Sequence, residues 1–190
     1  DSNHIGVGMK KTFLIAGIIA LSLAAGITQA QEFKVQSSSP LNGHLQQAQF
    51  ANAFGCNGKN LSPQISWSGA PQGTKSYVVT MYDPDAPTGS GWWHWVLANV
   101  PGNVNELKEG AGSSGGKLPA GTLEIRGDSG MAGYLGACPP AGQAHNFLIT
   151  VHALNVDKLE LPPTATPAML GFMVLGSSLG KATLTVQGNR

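Results

Sequence analysis

The chain is predicted to be an all-β-dominated, antiparallel β-sandwich, on three observations. Short runs rich in β-branched and aromatic residues recur between turn signals, Gly and Pro are abundant (26 and 12 residues), and only one segment carries convincing helix signals. Two of the runs are apolar enough to lie inside a sandwich, which argues for two packed sheets over a single solvated one.

Taken in order, the N-terminus comes first. Met9, Lys10 and Lys11 supply a positive start, and Phe13 to Ile27 form an almost uncharged apolar run of fifteen residues. That is the shape of a signal peptide, and the run is shorter than the roughly twenty residues of a membrane span. Thr28-Gln29-Ala30 places small side chains where a signal peptidase reads, so cleavage is expected after Ala30. Residues 1–8 are read as an upstream extension, 9–30 as the signal peptide and 31–190 as one domain in the periplasm or outside the cell. A retained anchor is the alternative; the polar residues from Gln31 onward, without flanking charges, argue against it.

Gln64–Trp67, Ser76–Tyr82, Trp93–Val100 and His145–Leu154 read as strands, and Ala182–Gln187 closes the domain with strand-like alternation. Thr166 can cap a helix with Pro167 in its first turn, Met169–Leu179 continuing it and Gly180 ending it. A weaker helical turn is expected around Leu45–Asn52. Glu109–Gly121 reads as a mobile Gly/Ser-rich loop with few apolar anchors, a reasonable contact surface for a partner.

The whole sequence has 11 basic and 10 acidic residues; without Lys10, Lys11 and Asp1 nine of each remain, so the mature chain is formally neutral. The basic residues are scattered singly, which argues against nucleic acid or a polybasic membrane patch as partner. Neutrality and Trp-rich strand ends permit a homodimer without requiring one. Cys56 and Cys138 are the two cysteines. In an exported protein they are expected to pair, stabilising the fold by about 4 to 5 kcal/mol through closure of a long loop. Free thiols or a metal pair are the alternative, without a CxxC spacing or an adjacent His ligand to support it.

Two segments could carry chemistry. Asp83-Pro84-Asp85-Ala86-Pro87 follows a strand, and Trp92-Trp93-His94-Trp95 opens the next. The prolines stiffen the turn and so fix both carboxylates, although Asp-Pro-Asp also reads as a turn whose carboxylates cap backbone N–H groups. Gly133 to Pro140 leads through Gly142 to His145, combining permissive Gly, rigid Pro and a strand-end imidazole. Glycine backbone can approach an oxyanion, and a protonated imidazole can add a charge-assisted hydrogen bond. Each histidine alone also fits a hydrogen-bonded core residue.

Asp83 to Pro87, Trp93-His94, Gly136-x-Cys138-Pro139-Pro140 and His145 resemble, in order, the two signature regions of the phosphatidylethanolamine-binding proteins, also called Raf kinase inhibitor-like proteins. Asn60 to Trp67 resembles the segment preceding them in bacterial members, and the likeness spans nearly all of residues 33–187. It implies two antiparallel sheets with a small pocket at one end that takes phosphate, acetate or a phosphoethanolamine-type head group. The implied lining is Asp83, Asp85, Trp92, His94, Gly136, Cys138, Pro139, Pro140 and His145, with carboxylates for an ammonium and imidazoles and backbone N–H groups for an anion. No cofactor and no catalysis are implied; the partners are a small anionic or zwitterionic ligand and, as the family name suggests, a protein that it modulates. Where family members often continue the second histidine as His-Arg-Tyr, this chain has His145-Asn146-Phe147, so phosphoethanolamine itself is less secure than small anions in general.

Three other signals bear on function. Gly127-Asp128-Ser129-Gly130 matches the nucleophile motif of trypsin-like proteases, but one short domain does not house two barrels, and a turn fits these residues. Gly116-Lys117 lacks the first glycine of a phosphate loop, which falls on Ala111, and Leu118 replaces the metal-binding hydroxyl. Asp83, Asp85, His94 and His145 suit a divalent metal if all four converge. Two rival functions stay open: a hydrolase or lyase with His145 or His94 as general base and Asp83 orienting it, and an interaction module with a vestigial pocket.

Overall fold

The structure, a computed structural model, describes Ser2 and residues 31–190; the signal-peptide reading lies outside the described residues. Among the described residues eight strands form two sheets, with one helix before the last strand. The smaller sheet has the order β1 (Lys34–Gln36), β2 (Ile65–Ser68), β5 (Glu106–Leu107). The larger has the order β6 (Leu123–Glu124), β4 (Trp92–Pro101), β3 (Ser76–Asp83), β7 (Ala144–Leu154), β8 (Ser178–Asn189). Every strand pairing described within the two sheets is antiparallel. The predicted sandwich is the observed architecture.

All five predicted strands form, each reaching one to four residues further at one or both ends except where Gln64 stays outside β2. The additional strands, β1, β5 and β6, are only two or three residues long, too short for a periodicity to show. β3 sits centrally, which is why it reads as a nearly continuous apolar run rather than an alternating one. One of its faces sends Tyr77, Val79 and Met81 between the sheets, against Trp67, Leu97 and Ile149. The other sends Val78 toward Val96, Ala98, Leu154 and the helix residues Leu170 and Val174.

Three expectations need correction. The helix α1 (Pro167–Leu175) is capped by Thr166 as expected, its hydroxyl accepting from the Met169 N–H, but it ends at Gly176, not Gly180. Gly176, Ser177 and Ser178 are weak helix formers, and Ser178 already pairs with Leu154 of β7. Around Leu45–Asn52 there is one turn and no helix. There Ala51 donates to the Ala137 carbonyl and Ala137 to that of Gln49, drawing the backbone into cross-chain pairing. The first part of the Glu109–Gly121 loop is anchored instead of free: Gly110 and Gly112 N–H bond to the Ser62 carbonyl and hydroxyl, and Ala111 is buried.

Cys56 and Cys138 are joined in a disulfide, 82 residues apart in sequence. The bridge ties the loop before β2 to the Gly136–Pro140 segment, at the end of the large sheet where β3 finishes and β7 begins. No helix among the described residues is long and apolar enough to cross a membrane.

Candidate functional site

The end of the large sheet is built by strand register. Asp83, the last residue of β3, lies opposite Trp92, the first of β4, while β7 runs past Tyr82 with Leu148 as its partner and brings His145 alongside. His145 Nδ1 donates to Asp83 Oδ2 at 2.7 Å, and both side chains are almost fully buried. The other Asp83 oxygen accepts the Asp85 N–H at 2.8 Å, which closes the Asp-Pro-Asp turn. His145 Nε2 lies 3.2 Å from the side-chain amide of Gln143, an exposed residue two positions earlier on the chain.

His94 is held differently. Its Nδ1 is 2.7 Å from the Leu135 carbonyl, an atom that only accepts, so the proton sits on Nδ1 and the neutral ring keeps a lone pair on Nε2. Burial pushes this imidazole below the ordinary histidine value, against the opposing pull of the Leu135 and Gly136 backbone and of the Asp83 and Asp128 charges. The ring stands edge-on to Phe147, centroids 5.2 Å apart. Phe147 is wholly buried and serves as core packing beneath the histidine.

Around these groups lies a cleft of about 220 Å³. Seven of the nine predicted residues line it: Asp83, Trp92, His94, Gly136, Cys138, Pro140 and His145. Asp85 does not. Its carboxylate accepts from the backbone and side-chain N–H groups of Asn146, at 2.7 and 3.0 Å, and so staples the turn to β7. Pro139 is buried behind the lining, its carbonyl facing Arg190.

Three backbone N–H groups of the Gly136 segment are engaged within the protein. Leu135 N–H donates to the His94 carbonyl, Gly136 N–H to Asn60 Oδ1 and Ala137 N–H to the Gln49 carbonyl. Glycine is needed at 136 for space, because a Cβ there would lie 2.4 Å from the Ala51 nitrogen. Asn60 thus positions the site although it does not line it, and its place in the Asn60–Trp67 motif was the signal for it.

Sequence reasoning missed Phe54, Thr88 and Leu135 in the lining and gave Ala86 and Pro87 only a stiffening part. Phe54 is 70% exposed at the rim, delivered there by the disulfide two residues on. The Thr88 hydroxyl donates to the Gly91 carbonyl. The walls are therefore mostly apolar, and the ionisable or hydrogen-bonding side chains are two imidazoles, one carboxylate, one hydroxyl and the Trp92 indole. No Lys or Arg is among the lining residues. The Gly127–Gly130 segment is a turn whose Asp128 carboxylate accepts the Trp93 N–H, as the turn reading predicted. Among the described residues no cluster of His, Cys, Asp and Glu is arranged to hold a metal ion.

A family model for phosphatidylethanolamine-binding protein matches residues 36–189, almost the whole of the described domain. The chain belongs to the phosphatidylethanolamine-binding protein family. The protein YbcL of Escherichia coli (strain K12) is 41% identical over 178 residues, covering 92% of this chain and 96% of YbcL. Its crystal structure, described as that of a new member of the mammalian PEBP family, superposes with a TM-score of 0.79 at 42% identity over 84% of this chain and 99% of that one. YbhB of the same strain is 48% identical over 134 residues, 70% of this chain and 85% of YbhB. The putative lipoprotein LppC of Mycobacterium tuberculosis (strain H37Rv) is 34% identical over 133 residues, 69% of this chain and 61% of LppC. The disulfide and the lipoprotein relative both point to a location outside the cytoplasm.

Proposed function

We propose that this family member is an exported binding protein whose cleft holds a small phosphate- or carboxylate-bearing molecule without transforming it. The observation that carries the reading is the convergence of His94 and the Asp83–His145 pair at one apolar-walled cleft. Polar groups fixed by packing in a mostly apolar pocket recognise a ligand at little reorganisation cost.

The two imidazoles would divide the work. Neutral His94 presents a lone pair on Nε2, which accepts a hydrogen bond from a P–OH or carboxylic O–H. His145 turns Nε2 toward Gln143, the partner an incoming oxyanion would displace. Each Asp83 oxygen already accepts one hydrogen bond, from the Asp85 N–H and from His145, so its first part is to orient His145. With Asp85 taken by Asn146 and the walls mostly apolar, the cleft favours a small acid with an apolar substituent against Phe54, Trp92 and Pro140 over a phosphoethanolamine zwitterion. Binding without turnover is supported by the lining chemistry: the Cys138 sulfur is spent in the disulfide and the Thr88 hydroxyl is held by Gly91.

The test is an amide-shift titration of isotope-labelled protein with inorganic phosphate and then O-phosphoethanolamine, with His94→Asn and His145→Gln as controls. Saturable shifts confined to Asp83–His94 and Gly136–His145, lost in both variants, are expected. Shifts elsewhere, or none, remove the pocket as the seat of function. Steady hydrolysis of phosphoesters by the purified protein would replace binding with catalysis.

A further inference from the structure

We propose, resting on the reading of the cleft as a binding site, that His94 selects the ligand by its proton. The cleft takes oxyacids that still carry an O–H, hydrogen phosphate and phosphomonoester monoanions, and discriminates against sulfate and phosphodiesters.

The selection is built on one hydrogen bond. The Leu135 carbonyl can only accept, so at 2.7 Å it holds the His94 proton on Nδ1. Leu135 is itself fixed, because its N–H donates to the His94 carbonyl at 3.0 Å. Turning the ring to offer an N–H to the cleft would strand the Leu135 carbonyl and break the edge-on packing against Phe147. His94 lines the cleft, and its Nε2 has no protein partner among the described residues. An incoming ligand therefore meets a fixed acceptor.

A fully ionised oxygen would set its own lone pairs against that acceptor. Protonating Nε2 removes the mismatch only by placing a cation on a buried ring. Burial already holds this imidazole below the ordinary histidine value, against the pull of the Leu135 and Gly136 backbone, of Asp83 on β3 and of Asp128 in the 127–130 turn. The remaining titratable group on the cleft is His145 of β7, whose Nδ1 is engaged by Asp83. No Lys or Arg lines the cleft, and Arg190 spends its guanidinium on the Gly55 and Pro139 carbonyls. Donors are scarce as well: the Leu135, Gly136 and Ala137 N–H groups and the Thr88 hydroxyl are all engaged within the protein. A ligand O–H satisfies His94 and at the same time lowers the charge brought in beside Asp83.

Inorganic phosphate keeps an O–H in both of the forms present near neutral pH. Sulfate and phosphodiesters keep none, and a phosphomonoester keeps one as its monoanion, which forms as pH falls to about 6. A site built to hydrogen-bond a ligand O–H rejects the analogue that lacks it, because the acceptor of the site is left unpaired. The diester linkage of a phospholipid head group falls in the rejected class and free phosphate in the accepted one.

The experiment is isothermal titration calorimetry at constant ionic strength, on protein purified after expression of the full sequence. Inorganic phosphate, sulfate, methyl phosphate and glycerophosphoethanolamine, the diester of a lipid head group, are compared at about pH 7.5 and about pH 6. At the higher pH sulfate and the diester should bind about tenfold more weakly than phosphate, or weaker still. On acidification methyl phosphate should gain several-fold relative to phosphate as its monoanion forms. Nitrogen NMR of ring-labelled histidine should show His94 Nε2 unprotonated with phosphate bound. Sulfate or the diester binding as tightly as phosphate, methyl phosphate without that gain, or a proton on Nε2 in the phosphate complex overturns the selection and leaves the cleft a binding site. Phosphate that does not bind in the cleft at all overturns both.

Discussion

Replacing Asp83 tests the buried pair that organises the cleft, and Ala and Asn should behave differently. In the wild type, Asp83 accepts hydrogen bonds from His145 Nδ1 and the Asp85 N–H while remaining 3% exposed. Asp83→Ala strands both donors. Leaving a buried donor unsatisfied costs about 1 to 3 kcal/mol, and the His145 ring, itself 3% exposed, cannot turn to water, so a loss of about 3 to 5 kcal/mol is expected. Asp83→Asn keeps the shape and one acceptor for Asp85. His145 can then move its proton to Nε2, toward the Gln143 amide, and accept from the new Asn, so the loss should be about 1 to 2 kcal/mol. Urea unfolding at pH 7, followed by tryptophan fluorescence, measures both. Asp83→Ala within about 0.5 kcal/mol of wild type, or Ala no worse than Asn, would refute a buried, fully engaged Asp83.

Other expectations follow from the same contacts. Because burial lowers the His94 pKa in the folded state, the unfolded chain binds the proton more readily. Stability should therefore fall as pH drops below about 6.5 toward the depressed folded value, where the slope flattens. Urea midpoints of His94→Asn, whose amide can still donate to Leu135, should fall less steeply over that window; an equal slope contradicts the assignment. Gly136→Ala forces a Cβ against Ala51 and Gln49 backbone and should cost about 1 to 3 kcal/mol by thermal unfolding, a neutral result showing that the segment can shift. The pair C56S/C138S should lose about 4 kcal/mol in urea unfolding, and release of the Phe54 loop should weaken phosphate binding in the same titration. Thr166→Ala should lower stability by about 1 kcal/mol through loss of the α1 cap.

Much of this arrangement was legible in the sequence because its signals are local. Strand periods, the Thr166-Pro167 start and the paired cysteines each act over a few residues or through one covalent bond. Proline-stiffened turns marked the strand ends that carry Asp83, Trp92, His94 and His145, and the family resemblance implied that these residues share one pocket. What escaped depends on partners far away in sequence. Whether α1 stops at Gly176 or Gly180 is decided by Leu154, across the sheet. Asp85 looks equivalent to Asp83 until Asn146 takes it, and the Gly136 N–H looks available until Asn60 claims it. Phe54 reaches the rim through the disulfide and the Arg190 hydrogen bond to Gly55, and β1, β5 and β6 are too short to announce themselves.

The most direct test of a binding cleft is a crystal structure of the protein grown with saturating inorganic phosphate. Phosphate within hydrogen-bond distance of His94 Nε2 and His145 Nε2, with Gln143 turned aside and the Asp83–His145 bond intact, is the predicted result. A cleft without phosphate, Gln143 still on His145 and the anion held elsewhere or not at all, would contradict it.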